Sequence, residues 1–332
     1  AALQLAVSAA SNMIGQVPAS RWDGESLSST VGVDVARRTC YGAFVDAPQL
    51  FDHVNFSVSL AEAEATDPQQ RLVLEHGYAA LHSAGADRSA LLGSGTGVAV
   101  GIYSTEFAHV LGQSSLGESV YAATGSTLSI ACGRVSFVLG IQGPCASFET
   151  ACSASLVASH SAVRALQHHE CDMHLVVGVN LMLLQANSLA MAIAGMTSST
   201  GRSYTFDRRA DGYARGEGAS TFAMASNGGE LGLQGSAVRQ DGRSTSLTAP
   251  NGQAQQGLLR AALGDATVAA DQLSIGEGHG TGTALGDPIE AGSLAAAVLS
   301  ARGVEGVLAF SSAKANLGHG ESTAGSTGLL KL

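Results

Sequence analysis

Phe148-Glu149-Thr150-Ala151-Cys152-Ser153-Ala154-Ser155 sets one cysteine between a short apolar-polar stretch and a run with helical spacing. Gly143-Pro144 closes the segment before it. Leu156, Val157, Val163 and Leu166 carry the helical pattern to about Gln167. This spacing predicts Cys152 at a strand-to-helix turn, at the N-terminus of a mostly buried helix. Free backbone N–H groups and the helix dipole there favour a thiolate, so a pKa below the free value of about 8.5 is expected. The small Ser153, Ala154 and Ser155 let other backbone come close. Taken alone, the segment also fits an inert buried cysteine.

The strand-then-helix pattern recurs outward from this point. Apolar runs at 97–102, 174–179, 219–225, 272–276 and 306–311 read as buried strands and alternate with helical patterns. Continuous apolar strands between helices predict sheets covered on both faces, an α/β layered fold. Asp67-Pro68-Gln69-Gln70 and Asp287-Pro288-Ile289-Glu290 both read as helix starts: a capping carboxylate, Pro at the first helical position, and Gln or Glu at the third. At 332 residues the chain has room for one large domain or two fused halves. Asn227-Gly228-Gly229 is the weakest point of continuity, so the halves are placed at 1–227 and 228–332.

Two later segments each carry one histidine in a frame of small residues. The first, Glu277-Gly278-His279-Gly280-Thr281-Gly282-Thr283, follows a strand candidate. Its glycines let a ligand approach the backbone, with His279 and two threonine hydroxyls projecting. It lacks the spacing of a phosphate-binding P-loop and reads otherwise as a surface turn. The second is Lys314-Ala315-Asn316-Leu317-Gly318-His319-Gly320-Glu321. A lysine near an imidazole tunes its protonation, and Glu321 is expected to neutralise and orient Lys314. A solvated charge cluster is the competing reading. The other eight histidines have no comparable frame and read as ordinary surface or core residues.

Composition narrows the functional classes. The net charge is −10, from 17 basic and 27 acidic residues, which argues against a general nucleic-acid binder. Charged residues are only 13% of the chain, so it is expected either to bury much of its surface internally or to cover it with a partner subunit. No apolar run is long enough for a membrane span. The start, Ala1-Ala2-Leu3-Gln4-Leu5-Ala6, does not read as a signal peptide but as the interior of a longer chain. The cysteines (Cys40, Cys132, Cys145, Cys152 and Cys171) are odd in number and lack metal-ligand spacing. No metal site is expected, and a reducing compartment fits best.

Together the segments resemble the β-ketoacyl synthase family, above all the ketosynthase domains of modular type I polyketide synthases. Besides the three motifs, Asp211-Gly212-Tyr213-Ala214-Arg215-Gly216-Glu217-Gly218 and Leu247-Thr248-Ala249-Pro250-Asn251-Gly252 carry the likeness. So does 61–71, which holds the Asp67-Pro68 helix start. The resemblance implies a thiolase-like α-β-α-β-α fold of two similar halves, here truncated at both ends, and a homodimer. It implies that Cys152 accepts an acyl group, and that His279 and His319 hold a malonyl thioester on acyl carrier protein and promote its decarboxylation. Thr281 and Thr283 would bind the phosphopantetheine arm, with Lys314 and Glu321 behind His319. No bound cofactor is implied beyond that substrate-borne arm. Other polyketide synthase domains would flank it, in a cytoplasmic enzyme (a plastid being the other compartment left open). Departures include Glu149, Ala154, Gly278 and Gly320, none of which is a reacting group. A thiolase or chalcone-synthase relative, a degenerate scaffold or chain-length partner, and an unrelated cysteine hydrolase are the alternatives. The presence of all three reacting residues speaks against the scaffold. Arg21, Arg134 and Arg208 are the candidates for a patch that would meet an acidic carrier.

Overall fold

The computed structural model describes residues 11–23, 27–229, 231–302 and 307–332. The reading of the first six residues, and Gly306 of the last strand candidate, lie outside the described residues. Nine strands are described: β1 (Gly15–Gln16), β2 (Tyr41–Ala43), β3 (Gly97–Ile102), β4 (Cys145–Phe148), β5 (Met173–Asn180), β6 (Arg215–Gly216), β7 (Gly218–Ala225), β8 (Ile275–Glu277) and β9 (Ala309–Ser311). The helices that position the site are α1 (Pro68–Ser83), α2 (Leu128–Leu139), α3 (Ala154–Gln167), α4 (Gly252–Ala266), α5 (Gly286–Ala297) and α6 (Ala324–Lys331). Three of the five strand predictions, 97–102, 174–179 and 219–225, agree within a residue, and the last, 306–311, forms a strand only over Ala309–Ser311 among its described residues. The fourth, 272–276, shifts: Ala270–Gln272 forms a 3-10 turn and the strand begins at Ile275.

The main sheet has the order β4-β3-β5-β7, with β4, β3 and β5 parallel and β7 antiparallel to β5. Strand side chains alternate between faces, and the two faces here differ in size. Val98, Val100 and Ile102 of β3 and Leu175, Val177 and Val179 of β5 join one core cluster with Leu72 and Val73 of α1 and Val135 of α2. Each such buried side chain contributes roughly 1.5–3 kcal/mol. The opposite face is built of small residues. Ala99 and Val176 pack on Ala158 and Ala162 of α3. This face draws α3 close to the sheet. A methyl added at Gly101 would lie 2.6 Å from the backbone nitrogen of Ser155. The buried face of α3 is accordingly mostly Ala and Ser; of the predicted apolar residues Val163 and Leu166 are buried, while Leu156 stays 47% exposed.

The second half repeats the local design. β8 and β9 pair in parallel. After β9 come a 3-10 turn, Glu321–Thr323, and the helix α6. In the first half, β4 leads to the 3-10 turn Ala151–Ser153 and then α3. Both turns open on a non-glycine residue in the left-handed region, Ala151 at φ 51° and Glu321 at φ 47°. The two helices meet inside the molecule, where the backbone N–H of Ser326 donates to Ser155 Oγ at 3.0 Å. Helix α4 packs along α5 on the outside of this half. Among the described residues, no helix is long and apolar enough to cross a membrane.

The two predicted helix starts diverge. Asp67 caps α1 as expected, its carboxylate accepting from the backbone N–H of Gln69 at 2.8 Å. Gln70 does not close the box, because its carbonyl oxygen accepts from Arg134 Nε at 2.7 Å. At α5 the prediction fails: the helix begins at Gly286 with Leu285 at the cap position. The carboxylates of Asp287 and Glu290 turn back into the glycine-rich loop instead.

Candidate active site

Cys152 lies in the turn between β4 and α3, as its flanking pattern predicts. The left-handed Ala151 makes the chain reverse sharply before it, a conformation that costs about 1–3 kcal/mol and persists only where surroundings enforce it. Ser153 enforces part of it: its hydroxyl donates to Thr150 O at 2.8 Å and its backbone N–H to the same oxygen at 3.2 Å. The expectation of a depressed thiol pKa is corrected. Burial pushes the Cys152 thiol up, and Glu321 adds to this; Lys314 and the residue's own N–H offset only part. At a half-buried helix start, lost water outweighs the dipole.

His279 follows β8 on a loop clamped by carboxylates. Glu290 accepts from the backbone N–H of His279 at 2.5 Å and of Gly280 at 2.7 Å. Asp287 accepts from Gly282 N at 3.1 Å and Phe206 N at 2.7 Å. Thr205 Oγ1 donates to Gly280 O at 3.0 Å, and Ser312 Oγ to His279 O at 3.2 Å. The glycine frame is thus a rigid mount, and the surface-turn reading falls. Burial and the nearby Lys314 cation lower the His279 pKa, yet the ring still meets solvent, which relieves part of the effect. Thr281 is buried, with its hydroxyl 3.1 Å from that of Thr283. Thr283 is half-buried and also caps Gly286 N at 3.2 Å.

His319 is held from both sides. Its N–H donates to Ala214 O at 2.7 Å, and its carbonyl accepts from Gly216 N at 2.8 Å, fastening the loop to β6. The backbone N–H of Glu321 donates to Nδ1 at 3.0 Å. A neutral imidazole accepting at Nδ1 carries its proton on Nε2. Burial first, then the charge of Lys314, hold His319 well below the usual imidazole range, so it is neutral at physiological pH. Lys314 starts a one-turn helix and is 6% exposed; burial lowers its own pKa while Cys152, Glu277, Glu290 and Asp287 oppose the fall.

Glu321 does not orient Lys314. Its carboxylate pairs with Arg215 Nε at 2.6 Å, and Arg215 Nη1 reaches Ser188 Oγ at 2.6 Å. Sequence reasoning took Asp287 and Glu290 only as a helix start and Arg215 only as part of a motif, and gave none of them a place in the site. A charged residue inside a small-residue strand, in a chain this poor in charge, was the available signal for Arg215. The basic-patch candidates also change: Arg21 is bonded to Glu217 at 2.9 Å and Arg134 to Glu62 at 2.5 Å, so neither is free for a carrier.

The three singled-out residues, 127 and 40 positions apart along the chain, converge. The Cys152 sulfur and a ring nitrogen of each of His279 and His319 all lie within 4.8 Å of one another. The two rings stand 5.4 Å apart, edge to face at 88°, and Tyr213 packs against His319 at 4.9 Å. Residues 3–227 match the β-ketoacyl synthase N-terminal domain and residues 232–332 its C-terminal domain. The chain belongs to the β-ketoacyl synthase family. It is 40% identical over 336 residues to a phenolphthiocerol synthesis type I polyketide synthase of Mycobacterium bovis, covering 98% of this chain and 16% of that protein. It is 36% identical to a mycocerosic acid synthase-like polyketide synthase of Mycolicibacterium smegmatis, over 96% of this chain and 15% of that one. The fold superposes on the module 6 ketosynthase of the Bacillus subtilis bacillaene synthase with a TM-score of 0.86 at 32% identity, covering 97% of this chain and 56% of that one. An oxazolomycin ketosynthase domain of Streptomyces albus gives 0.86 at 29%, with 97% and 57% covered. The ketosynthase chain thus spans about one sixth of the curated relatives quoted, and a thiolase-like fold is shown.

Proposed function

We propose that this ketosynthase chain is a decarboxylating condensing domain of polyketide biosynthesis. The convergence of Cys152, His279 and His319 carries the reading. The acyl group arrives as a thioester on acyl carrier protein. Cys152 attacks the carbonyl carbon and its proton passes to the departing pantetheine thiolate. His279, the ring with solvent access and no Nδ1 lock, relays it. The backbone N–H of Cys152, which faces its own sulfur, steadies the tetrahedral oxyanion. A malonyl-type thioester then binds. Its carboxylate leaves as CO2, and the electron pair left behind forms an enolate. Neutral His319 donates from Nε2 and His279 from its own ring N–H to the enolate oxygen; such aimed donors are worth about 3–4 kcal/mol each. The carbanion forms the new carbon–carbon bond at the acyl carbon and expels the Cys152 thiolate, which takes a proton from solvent.

Thr281 and Thr283 are read as partners of the phosphopantetheine arm, since their hydroxyls lie 3.1 Å apart on the loop that carries His279 and the bond between them can re-pair with an amide. A homodimer, flanking synthase domains, a cytoplasmic setting and halves meeting at 227/228 complete the proposal. The same sulfur and two nitrogens could share a soft metal ion. Such an ion would occupy the nucleophile, so zinc is expected to inhibit. The deciding experiment is acylation by a labelled acyl thioester in the full-length protein, read by intact-mass spectrometry. Cys152→Ala should abolish the covalent label; label persisting in that variant ends the proposal.

A further inference from the structure

β5 ends at Asn180, and the chain leaves the sheet through Leu181, Met182, Leu183 and Leu184 before the helix Gln185–Ile193 begins. Backbone N–H groups taken out of water need partners, and side chains from distant segments accept all four of these. Leu181 N donates to Gln69 Oε1 at 3.2 Å and Met182 N to Glu217 Oε1 at 2.8 Å. Leu183 N and Leu184 N both donate to Glu106 Oε2 at 2.6 Å, and Asn187 Nδ2 donates to Glu106 Oε1 at 2.7 Å. Leu184 stands at the cap position without a side-chain bond of its own, so the buried Glu106 carboxylate does the capping. All three of its hydrogen-bond partners are donors, which suits an ionised carboxylate at a helix start.

The helix anchored in this way reaches His319 by two routes. Ser188 Oγ accepts from Arg215 Nη1 at 2.6 Å, Arg215 Nε pairs with Glu321 Oε1 at 2.6 Å, and the backbone N–H of Glu321 holds His319 Nδ1 at 3.0 Å. Three residues further along the helix, Met191 Sδ accepts from the Tyr213 hydroxyl at 3.6 Å, and the Tyr213 ring packs against His319 at 4.9 Å. Neither route passes through Cys152 or His279. From this geometry we propose that Glu106 is a positioning residue for the condensing reaction: it fixes the helix Gln185–Ile193, and that helix fixes the aim of His319 Nε2 at the enolate oxygen. The role rests on the condensing function proposed above. Without the carboxylate, two N–H groups and the Asn187 amide lose their acceptor, the helix start shifts, and Ser188 and Met191 pass the shift to the ring. A misplacement of about 1 Å at a reacting group costs about a hundredfold in rate. Attack by Cys152 and proton relay by His279 do not use His319, so acyl transfer is spared.

The test compares wild type, Glu106→Ala, Glu106→Gln and Ser188→Ala in the full-length protein. Acyl label on Cys152 and CO2 released from a malonyl thioester are measured side by side, with a thermal melt of each variant. Glu106→Ala should lower CO2 release by about ten- to a hundredfold, the scale of such a misplacement, while acyl label forms within about threefold of wild type. A residue that only stabilised the fold would lower both together. Glu106→Gln should recover most of the lost CO2 release, because its oxygen still accepts from Leu183 and Leu184 and Asn187 can turn its own oxygen toward the new NH2. Ser188→Ala removes one hydroxyl and supplies the test where Glu106→Ala fails to fold; it should lower CO2 release by about tenfold with acyl label intact. CO2 release and acyl label falling in step, or CO2 release unchanged in folded Glu106→Ala or Ser188→Ala, overturns the positioning role alone. A wild-type protein that releases no CO2 removes the condensing function itself, and the role of Glu106 with it.

Discussion

Replacing Glu290 with Gln should separate the two chemical stages of the ketosynthase. The Glu290 carboxylate accepts from the backbone N–H groups of His279 and Gly280, at 2.5 and 2.7 Å. Hydrogen bonds to a charged acceptor are worth about 1.5–3 kcal/mol each. An amide of the same shape keeps one oxygen and turns its NH2 toward the other N–H, so one bond is lost and the second weakens. The clamp then loses about 3 kcal/mol by the same scale. Where that loss falls on the aim of the His279 donor, it slows enolate formation on the order of a hundredfold, since 1.36 kcal/mol is a factor of ten. Acyl transfer uses His279 only to relay a proton, which tolerates looser aim than donation to the enolate oxygen, so that stage should slow less than decarboxylation. The assay measures acyl label on Cys152 and CO2 released from a malonyl thioester, side by side, with a thermal melt to verify folding. Decarboxylation within threefold of wild type in a folded variant would refute the idea that this clamp aims His279.

Three further outcomes follow from the same geometry. The thiol pKa is raised by burial and held down only in part by Lys314, so the iodoacetamide rate at Cys152 should keep climbing above pH 9; Lys314→Met should move that profile to higher pH and slow alkylation several-fold at pH 8, and an unmoved profile would mean the lysine does not act on the sulfur. Arg215→Met leaves the 6% exposed Glu321 without its ion partner, which should cost about 3–5 kcal/mol in urea unfolding; a loss below about 1 kcal/mol, small against that scale, would show the pair is not needed. Gly101→Ala drives a methyl to 2.6 Å from Ser155 N and 2.7 Å from Ala154 C, so α3 must retreat at a cost of about 1–3 kcal/mol, and acylation of Cys152 should fall with it; full acylation at wild-type stability would contradict the close approach.

Much of this ketosynthase could be read from its one-dimensional pattern. The apolar runs of β3 and β5 stand out because each strand is buried on both faces and admits little polar interruption, whereas β7 is mostly half-buried. Cys152 and the two histidines stand out because small residues crowd each of them, and small residues in sequence leave a recognisable gap where larger ones would block approach. The reading failed where a side chain's partner lies far along the chain. Asp287 and Glu290 have the spacing of a helix cap, but their carboxylates satisfy loop N–H groups that only the folded turn brings near. Glu321 sits beside Lys314 in sequence and bonds to Arg215, 106 residues away.

The sequence by itself determined the alternation of strands and helices, because this follows from local periodicity, and through its family resemblance it put forward Cys152, His279 and His319 as the candidate reacting groups. Only the tertiary structure decided the protonation of the site and the mount of each histidine. Burial sets how much water a thiol or imidazole keeps, and here its loss leaves Cys152 a neutral thiol and His319 a neutral donor at Nε2. Desolvation is a property of everything packed around a group, so no neighbour in the chain announces it.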